Sequence, residues 1–411
     1  MIFFYRILIN FIFIISPVII LFRLIKKKEN IKRFKEKFCF FSEKRSHGNI
    51  IWFHGASVGE LQSIIPLLEK IGKDNKIRQI LVTSNTLSSS KVIEKLKLKK
   101  VIHQFFPIDT NFLSKKFLDY WKPSSVFFID SEIWPNMILN IKKNNIPITL
   151  LNGRITKKTF KRWKNISKFS GKIFSQFDLA LSSSSESKNY LRQLGVKKVN
   201  FIGNLKFSQS ENEKINIPNN LKKIISSKKI WCASSTHNNE EIFCGFVHKE
   251  LMKKYKNLLT IIIPRHIERV SKIENDLNKM NLNIHRYENP KKIPFNTNIY
   301  IVNSYGKTKS FYSICKNVFL GGSLISHGGQ NPLEAARYGC NILHGPNIDN
   351  FKEIYQFLKK IKVSNKILNQ NDLVNCLKKL LSKKNKNKKI QNKIKIIGQK
   401  ILDKTYKEIN L

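Results

Sequence analysis

The sequence predicts an α/β protein made of two Rossmann-like domains that face a cleft, preceded by a membrane-anchoring helix. Three observations lead to this prediction: a long apolar segment at the amino terminus, short apolar runs that alternate with helix-like stretches, and one polar segment that separates two such series. The predicted divisions are 1–25 for the anchor, 26–212 for the first domain and 213–411 for the second. Two domains are also what a chain of 411 residues favours.

The anchor is predicted from the apolar run ILINFIFIISPVIILF at 7–22. Counted as a helix from residue 2 to residue 25, it is long enough to cross a hydrocarbon core of ~30 Å. Eight Lys and Arg residues follow between 23 and 37, which by the positive-inside rule places the rest of the chain in the cytoplasm. A cleaved signal peptide would carry its basic residues before the apolar run, and a buried core helix is the other alternative. We therefore predict a single-pass anchor followed by a basic segment that attracts anionic lipids.

In the first domain, apolar runs of four to six residues predict buried strands. These runs lie at 49–53, 79–83, 125–129, 146–151 and 179–182. Helix-like patterns stand between them, for example at 61–71 and 91–98. Strands that alternate with helices in this way indicate βαβ units and a parallel sheet.

The polar segment SQSENEKINIPN at 208–219 is the predicted linker between the domains. After it the alternation resumes, with predicted strands at 229–233, 258–263, 299–302, 318–320 and 341–343. Residues 382–400 are rich in Lys and Asn and predict a solvated terminal helix.

The charge balance is strongly positive, with 75 Lys and Arg against 28 Asp and Glu and a formal net charge of +47. Such a surplus attracts nucleic acid, anionic lipid or phosphorylated substrates, but compositional drift explains it equally well because Lys, Asn and Ile are abundant throughout. The sequence has no zinc-finger spacing, no RNP-type strand and no basic helical stripe. We therefore expect no specific nucleic-acid partner.

The six cysteines form no CxxC pair and have no interleaved histidines. This spacing argues against a zinc site and against a disulfide framework. It favours reduced, mostly buried thiols in a cytosolic compartment.

Candidate site residues of the first domain lie in two strand-to-helix loops, because ligands of parallel sheets bind beyond the carboxyl ends of the strands. In HGASVGE at 54–60, the glycines allow a close ligand, and the helix dipole is expected to keep Glu60 ionised. The alternative is that Glu60 is a plain helix-terminus carboxylate. In DSEIWPN at 130–136, Asp130 and Glu132 stand beside a tryptophan, as in sugar sites, or else cap the next helix.

The second domain carries a pattern that is typical of a phosphate site. GGS at 321–323 ends a predicted strand, and GGQNPLE at 328–334 places the start of a helix at Pro332. Free backbone N–H groups there would face a phosphate, and Glu334 could accept hydrogen bonds from ribose hydroxyls. Arg265, which follows the predicted strand at 258–263, would supply a cation for the same phosphate.

Six blocks taken together resemble a known family, the Kdo (3-deoxy-D-manno-oct-2-ulosonic acid) transferases of glycosyltransferase family 30. The blocks are HGASVGE at 54–60, DSEIWPN at 130–136, LNGR at 151–154, GNLKF at 203–207, PRHIER at 264–269 and GGSLISHGGQNPLEAARYG at 321–339. The resemblance implies a GT-B fold and transfer of Kdo from CMP-Kdo to the tetraacylated lipid A precursor, lipid IVA, in lipopolysaccharide biosynthesis. It places this reaction at the cytoplasmic face of the bacterial inner membrane. The sequence has no DxD motif and no His/carboxylate cluster that would suit a divalent ion, so we expect no metal or other cofactor.

The resemblance also implies roles for single residues. Glu60 would be the general base, and Asp130, Glu132 and Lys206 would stabilise the transition state, with the two carboxylates not separable. The implied CMP-binding residues are Pro264, Arg265, Tyr305, Gly306, Lys307, Asn331, Pro332, Leu333 and Glu334. The sequence departs from the family at Asp130, where a longer Glu is usual, and at Lys307, where a Glu often follows the glycine.

Two other functions remain open at this stage. The first is another GT-B glycosyltransferase that uses a different nucleotide sugar, because the glycine and Asn-Pro elements alone would also suit other nucleotides. The second is a membrane-tethered nucleic-acid-binding protein, which the net charge alone would allow.

Overall fold

The computed structural model of the chain describes residues 1–209, 222, 225, 227–287, 293–382 and 387–409. The chain forms two compact units. Unit 1 comprises Met1–Ser210 and Ile397–Leu411, and unit 2 comprises Glu211–Ile396. The predicted domain boundary at 212 and most of the predicted linker at 208–219 lie outside the described residues.

Unit 1 begins with helix α1 (Ile2–Ile25) and then alternates strands with helices. Its strands are β1 (Ile50–His54), β2 (Gln79–Ser84), β3 (Val101–Phe105), β4 (Ser125–Ile129), β5 (Ile148–Gly153), β6 (Leu179–Ser182) and β7 (Val199–Phe201). Its further helices are α2 (Val58–Ile71), α3 (Leu87–Glu94), α4 (Asn111–Trp121), α5 (Pro135–Lys143), α6 (Lys157–Lys164), α7 (Ser167–Phe174) and α8 (Ser185–Gln193), with 3-10 helices at Phe34–Phe38 and Leu205–Ser208.

The sheet of unit 1 has seven strands in the order β3-β2-β1-β4-β5-β6-β7, and the paired strands run parallel. All five residues of β1 are buried, which explains the unbroken apolar run in the sequence. Trp52 at its centre is in register with Leu81 of β2 and Val126 of β4. The strand order reverses between β1 and β4, and such switch points are where open α/β sheets bind their ligands.

Unit 2 repeats this architecture over the residues that the structure describes. Its strands are β8 (Lys229–Thr236), β9 (Leu258–Pro264), β10 (Ile284–Arg286), β11 (Ile299–Ile301), β12 (Asn317–Leu320), β13 (Asn341–His344) and β14 (Ser364–Lys366). Its helices are α9 (Glu240–Met252), α10 (Val270–Asn278), α11 (Thr308–Ile314), α12 (Leu333–Arg337), α13 (Lys352–Lys360), α14 (Gln370–Leu381) and the start of α15 (Asn387–Ile409), with 3-10 helices at Ile267–Arg269 and Asp349–Phe351. The parallel sheet has the order β10-β11-β9-β8-β12-β13-β14, so its switch point lies between β8 and β12.

The two seven-stranded parallel sheets confirm the prediction of two Rossmann-like α/β folds. Each of the ten predicted strands is present, with its ends shifted by up to three residues. The sequence did not predict β3, β7, β10 and β14, which are the outermost strands of the two sheets.

The carboxyl-terminal helix α15 is mostly exposed up to residue 400, as predicted, but it continues to Ile409 and packs on unit 1. Its last turns belong to unit 1, where Ile401 and Leu402 are buried. Gly203 allows this approach, because a Cβ there would lie 2.9 Å from Cδ1 of Ile401. Lys70 also donates a 2.6 Å hydrogen bond to Asp403. The end of the chain therefore completes the core of the unit with which the chain begins.

Helix α1 is long and apolar enough to cross a membrane by length and composition, with a mean hydropathy of 2.5 over its best 18-residue window. The six cysteines are all free, and all except the half-buried Cys376 are buried.

Shortening Ile401 should destabilise unit 1. We expect Ile401→Ala to lower the free energy of unfolding by about 2–4 kcal/mol, because the substitution removes buried methylene groups and leaves a cavity. Tryptophan fluorescence in a urea titration reports mainly on unit 1, which holds four of the five tryptophans. Lys400→Ala, on the exposed side of the same helix, is the control and should leave the midpoint unchanged. Equal midpoints for Ile401→Ala and the control would contradict the packing of α15 on unit 1.

Candidate active site

The first candidate site lies at the switch point of unit 1, where β1 and β4 end. Glu60 is on the first turn of α2, which follows β1, and Asp130 and Glu132 follow β4 directly. The negative charges of Asp130 and Glu132 both act on the carboxyl group of Glu60. The structure therefore brings together the three carboxylates that the sequence singled out.

Glu60 is held by the loop that precedes its own helix. Ser57 caps α2, with its Oγ accepting a 3.3 Å hydrogen bond from the Glu60 N–H and donating a 2.8 Å bond to Glu60 Oε1. Oε2 of Glu60 accepts a 2.7 Å bond from the backbone N–H of Ala56. Oε2 also accepts a 3.4 Å bond from the backbone N–H of Ser57, which completes a capping box, so Glu60 does stabilise the start of the helix.

The protonation of Glu60 differs from the sequence-based expectation. The helix dipole was expected to keep this carboxyl group ionised, but burial and the charges of Asp130 and Glu132 raise its pKa to about 7, against the hydrogen bonds from Ser57 and Ala56. The expectation failed because the cost of burying a charge near two other negative charges exceeds the stabilisation by the helix terminus. A carboxyl group with this pKa can accept or release a proton near neutral pH.

Asp130 is joined to Lys206 and to the loop after β5. It has a positive φ of 57°, which Asp tolerates better than most residues. Asn152 donates a hydrogen bond to Oδ1 of Asp130, and Lys206 Nζ lies 3.3 Å from Oδ2. Asn152 also accepts a 2.9 Å bond from the N–H of Leu205. The buried amide of Asn152 thus ties the 3-10 helix that carries Lys206 to the end of β4.

Glu132 has a separate set of partners. Its Oε2 accepts hydrogen bonds from Trp134 Nε1 at 2.8 Å and from His54 Nε2 at 3.2 Å. Burial raises the pKa of Glu132, but these hydrogen bonds outweigh burial and leave the pKa below its ordinary value. Glu132 is therefore ionised over the pH range in which Glu60 titrates.

His54 is the last residue of β1 and is completely buried. Burial lowers the pKa of its imidazole, so the ring is neutral. Because the ionised carboxylate of Glu132 can only accept, the neutral His54 carries its proton on Nε2 and donates it to Glu132. His54 Nδ1 lies 2.9 Å from Thr83 Oγ1, which also accepts a 2.9 Å bond from Trp52 Nε1. Sequence reasoning did not assign a role to His54 or Asn152, although both lie within the blocks that carry the resemblance.

The second candidate site lies at the switch point of unit 2, where β8 and β12 end. The carboxylate of the buried Glu240, on the first turn of α9, accepts backbone hydrogen bonds from His237 at 2.9 Å, Gly322 at 2.7 Å and Leu324 at 3.1 Å. At Gly321, a Cβ would lie 2.5 Å from the carbonyl oxygen of Ser235, so the close approach of the two loops requires glycine there. The sequence analysis missed Glu240, although it occupies the same strand–loop–helix position as Glu60.

Three histidines lie around this pair of loops. The ring of His237 lies 4.4 Å from that of His327 and 5.9 Å from that of His266, centroid to centroid. Burial and the positive charges of these histidines and of Arg269 and Arg265 lower the pKa of His237 to about 4. His237 is therefore neutral at pH 7, next to the glycines of the GGS block.

The residues predicted to bind CMP follow the carboxyl ends of three strands of unit 2. Pro264 ends β9, and the exposed Arg265 donates its N–H to Thr236 at 3.0 Å. The loop after β11 carries the exposed Tyr305, Gly306 with a φ of 77°, and Lys307, whose Nζ lies 5.9 Å from the ring of Tyr287.

The loop after β12 ends in a helix that begins one residue later than predicted. Pro332 is the N-cap of α12, and the helix starts at Leu333, whose N–H donates to Asn331 Oδ1 at 3.1 Å. Glu334 follows in its first turn. Because α12 has only five residues, few peptide dipoles align at this end, and any anion here would depend on individual N–H groups.

Among the residues that the structure describes, no group of three or more His, Cys, Asp or Glu side chains is arranged to hold a metal ion. A cavity of about 450 Å³ lies in unit 2 near Lys229, Ile230 and Asn317, at the amino ends of β8 and β12. Because parallel sheets bind their ligands at the carboxyl ends of the strands, this cavity is not part of the candidate site.

Replacing Glu60 should remove a pH-dependent loss of stability. Glu60 ionises near pH 4.5 in the unfolded chain and near 7 in the folded protein, so between these values the folded state retains a proton and its stability falls as the pH rises. We expect Glu60→Gln to be more stable than the original protein at pH 8, by at most about 3 kcal/mol, and to lose this advantage at pH 4.5 and below. Urea unfolding at both pH values measures the difference. Glu69→Gln, on the exposed face of α2, is the control, and its stability should depend on pH as that of the original protein does. The same pH dependence in Glu60→Gln would contradict the raised pKa of Glu60.

The chain is similar to proteins of a known family. Residues 32–209 match the family model described as 3-Deoxy-D-manno-octulosonic-acid transferase (kdotransferase). The chain is 33% identical over 397 residues to 3-deoxy-D-manno-octulosonic acid transferase from Rickettsia bellii, covering 94% of this chain and 93% of the relative. It is 30% identical to the enzyme of the same name from Haemophilus influenzae, over 76% of this chain and 74% of the relative.

Among solved structures, a putative UDP-N-acetylglucosamine 2-epimerase from Listeria monocytogenes matches with a TM-score of 0.60 at 11% identity, covering 88% of this chain and 97% of the other. That similarity concerns the fold alone, which is GT-B. With two Rossmann-like units, a carboxylate cluster at one switch point and relatives matched over nearly its whole length, the chain belongs to the 3-deoxy-D-manno-octulosonic acid (Kdo) transferase family of glycosyltransferases.

Proposed function

We propose that this enzyme transfers Kdo from CMP-Kdo to the tetraacylated lipid A precursor, lipid IVA, with inversion at the anomeric carbon and release of CMP. The family supports the transfer of Kdo in lipopolysaccharide biosynthesis. The observation that carries the proposed chemistry is Glu60, a carboxyl group with a pKa of about 7 at the switch point of unit 1. This pKa suits a general base that works near neutral pH.

In the proposed reaction, Glu60 accepts the proton of the acceptor hydroxyl while its oxygen attacks the anomeric carbon of Kdo. The bond from that carbon to the phosphate oxygen breaks, and CMP leaves. The neighbouring charges of Asp130 and Glu132 favour the protonated form of Glu60, so they increase its affinity for this proton. A general base in position contributes about 10²–10⁴-fold to the rate.

Lys206 stabilises negative charge that develops in the transition state. Its ion pair with Asp130 and the link through Asn152 fix the position of the ammonium group before substrate arrives. A fixed charge costs no reorganisation during the reaction, which is the usual origin of such stabilisation. Glu132, held by His54 and Trp134, supplies the second permanent negative charge near Glu60.

CMP is bound by the loops of unit 2 that follow β9, β11 and β12. Arg265 provides an exposed cation for the phosphate, and Tyr305 an exposed aromatic face for a ring. Pro264, Gly306, Lys307, Asn331, Pro332, Leu333 and Glu334 complete the proposed CMP site. No metal ion or other cofactor takes part in the proposal, and nucleic acid is not a specific partner.

We place the enzyme at the cytoplasmic face of the bacterial inner membrane. The apolar helix α1 and the basic residues after it support this location, since the acceptor is a phosphorylated glycolipid held in the same membrane. The sequence predicts a single-pass topology for α1.

The direct test is incubation of the purified full-length protein with CMP-Kdo and lipid IVA, followed by mass spectrometry of the lipid. We expect a mass increase of one or more Kdo units, absent with Glu60→Gln and retained with Glu69→Gln. No increase from folded protein in lipid vesicles would refute the proposed substrates, and a screen of other nucleotide sugars would then identify the donor.

The same assay tests Glu60 as the base through its pH dependence. We expect kcat/KM to rise with increasing pH, with an apparent pKa of about 7, and then to reach a plateau, because Glu60 must be deprotonated before it can act. Glu60→Gln should bind CMP as the original enzyme does and lose turnover by about 10²-fold or more. Near-normal turnover in that variant would exclude Glu60 as the base.

A double-mutant cycle tests the link between Lys206 and Asp130. Lys206→Ala should lower kcat, by about 10²-fold if its charge acts in the transition state. Asp130→Asn should then cost less in the Lys206→Ala background than in the original enzyme, because the part of its effect that passes through Lys206 is already lost. Lys142→Ala, which breaks the exposed pair with Asp178 in the same unit, is the control and should leave kcat unchanged. Additive losses would show that Asp130 acts independently of Lys206.

A further inference from the structure

Helix α1 has one face that is shielded by the rest of unit 1. The shielded positions recur every three or four residues, as expected for one side of a helix. Arg6, Arg23 and Leu24 are also partly shielded, and the regularly spaced positions are Ile2, Tyr5, Ile9, Phe13, Ser16 and Ile20. The last two are almost completely buried.

Specific contacts fix this face at the amino-terminal end of α1. The Tyr5 hydroxyl donates a 2.7 Å hydrogen bond to Asp109, whose carboxylate also accepts the backbone N–H groups of Asn136 and Met137. Arg6 donates to the side chains of Asn136 at 3.0 Å and Asn111 at 3.3 Å. The first turns of α1 are therefore bonded to the starts of α4 and α5.

Contacts continue along the helix toward its other end. The rings of Phe13 and Phe38 lie 6.0 Å apart, and Ile20 is buried two turns later. Unit 1 thus covers α1 from residue 2 to residue 20, a length of about 27 Å at 1.5 Å per residue. That length is close to the ~30 Å thickness of a hydrocarbon core.

These contacts conflict with a helix that crosses the bilayer. A crossing helix would place Tyr5 and Arg6 on the opposite side from the rest of unit 1, yet Asp109, Asn111 and Asn136 bind them. The uniformly apolar sequence suggested a crossing helix, but the two faces of α1 are apolar for separate reasons. Phe13 and Ile20 are apolar because they pack on unit 1. The exposed positions do not pack on unit 1 and need a separate explanation.

The outward face of α1 is large and apolar. Thirteen large apolar side chains between Phe3 and Ile25 are exposed, far more than a surface in contact with water carries. Exposed lysines follow at once, at Lys26, Lys27, Lys28, Lys32 and Lys35. An apolar face bordered by cations is complementary to an anionic lipid surface.

We propose that α1 lies in the plane of the membrane, held along unit 1 by its inner face and immersed in a single leaflet of an anionic bilayer by its outer face, without crossing it. Both ends of the helix, and with them the amino terminus, then lie on the side of the catalytic units. This proposal stands on the contacts of α1 and does not depend on the donor or acceptor of the proposed reaction.

Spin labels measure the orientation directly. Phe4, Phe11, Val18 and Ile25 are 69%, 58%, 66% and 70% exposed and, at seven-residue spacing, lie on one side of α1. Each is replaced in turn by a labelled Cys in the full-length Cys376→Ser protein, in vesicles of phosphatidylethanolamine and phosphatidylglycerol. Relaxation by oxygen and by a water-soluble nickel complex gives the depth of each label. We expect similar depths of about 5–10 Å at all four positions.

A crossing helix would give a different series. The depth would pass through the bilayer centre between positions 11 and 18, with about 30 Å of travel from position 4 to position 25. That series would overturn the proposal. Strong dipolar broadening between labels on separate chains would also overturn it, because a second copy of this chain would then cover the outer face.

The side of the membrane on which the amino terminus lies provides an independent test. A neutral Gly/Ser extension with a protease site before Met1 should be cleaved in inverted inner-membrane vesicles without detergent. The same site after Leu411 is the control and should be cleaved in either topology. An amino-terminal site that is protected until detergent is added would refute the in-plane orientation. Neither readout requires transfer activity, so the proposal and the proposed function fail separately.

Discussion

Three carboxylates at the ends of two adjacent parallel strands repel one another, and the site of unit 1 depends on how each is accommodated. Asp130 is neutralised by Lys206, and Glu132 receives hydrogen bonds from His54 and Trp134. Glu60 has neither a cation nor a side-chain N–H partner among its recorded contacts and instead receives bonds from Ser57 and the N–H of Ala56. Burial, together with the negative charges of Asp130 and Glu132, raises the pKa of Glu60 to about 7. Glu60 is therefore the member of the cluster that can exchange a proton near neutral pH.

The partners that fix these anions are buried deep in the sheet. His54 is the last residue of β1, and its Nδ1 is hydrogen-bonded to Thr83 on β2, whose hydroxyl oxygen also accepts from Trp52 on β1. The ring of His54 also stacks on Phe106 at 3.9 Å. Asn152, completely buried at the end of β5, joins Asp130 to the turn that holds Lys206. Asp130 and Glu132 thus rest on side chains whose rotamers are set by core packing, as a preorganised site requires.

The sequence was sufficient to predict the central strands of each sheet but not the strands at its edges. Central strands such as β1 and β9 are buried on both faces and give unbroken apolar runs, whereas the edge strands β10 and β14 consist of Ile-His-Arg and Ser-Asn-Lys. The resemblance supplied Glu60, Asp130, Glu132 and Lys206, which the fold does bring together. It could not supply the raised pKa of Glu60, because that value depends on distances between loops that are far apart in sequence. The return of α15 to unit 1 was hidden for the same reason, since Gly203 and Ile401 meet only in the folded chain.

Helix α1 shows the same limit most clearly, because hydropathy measures how apolar a segment is and not what covers it. Its inner and outer faces are both apolar, one against protein and one available to lipid, so a periodicity that would mark a surface helix is absent from the sequence. The polar contacts of Tyr5 and Arg6 resolve the ambiguity, and they end on Asp109, which precedes α4, and on Asn136 at the start of α5. That start directly follows Trp134, whose indole N–H holds Glu132. The amino-terminal end of α1 and the carboxylate cluster are therefore attached to the same turn of backbone.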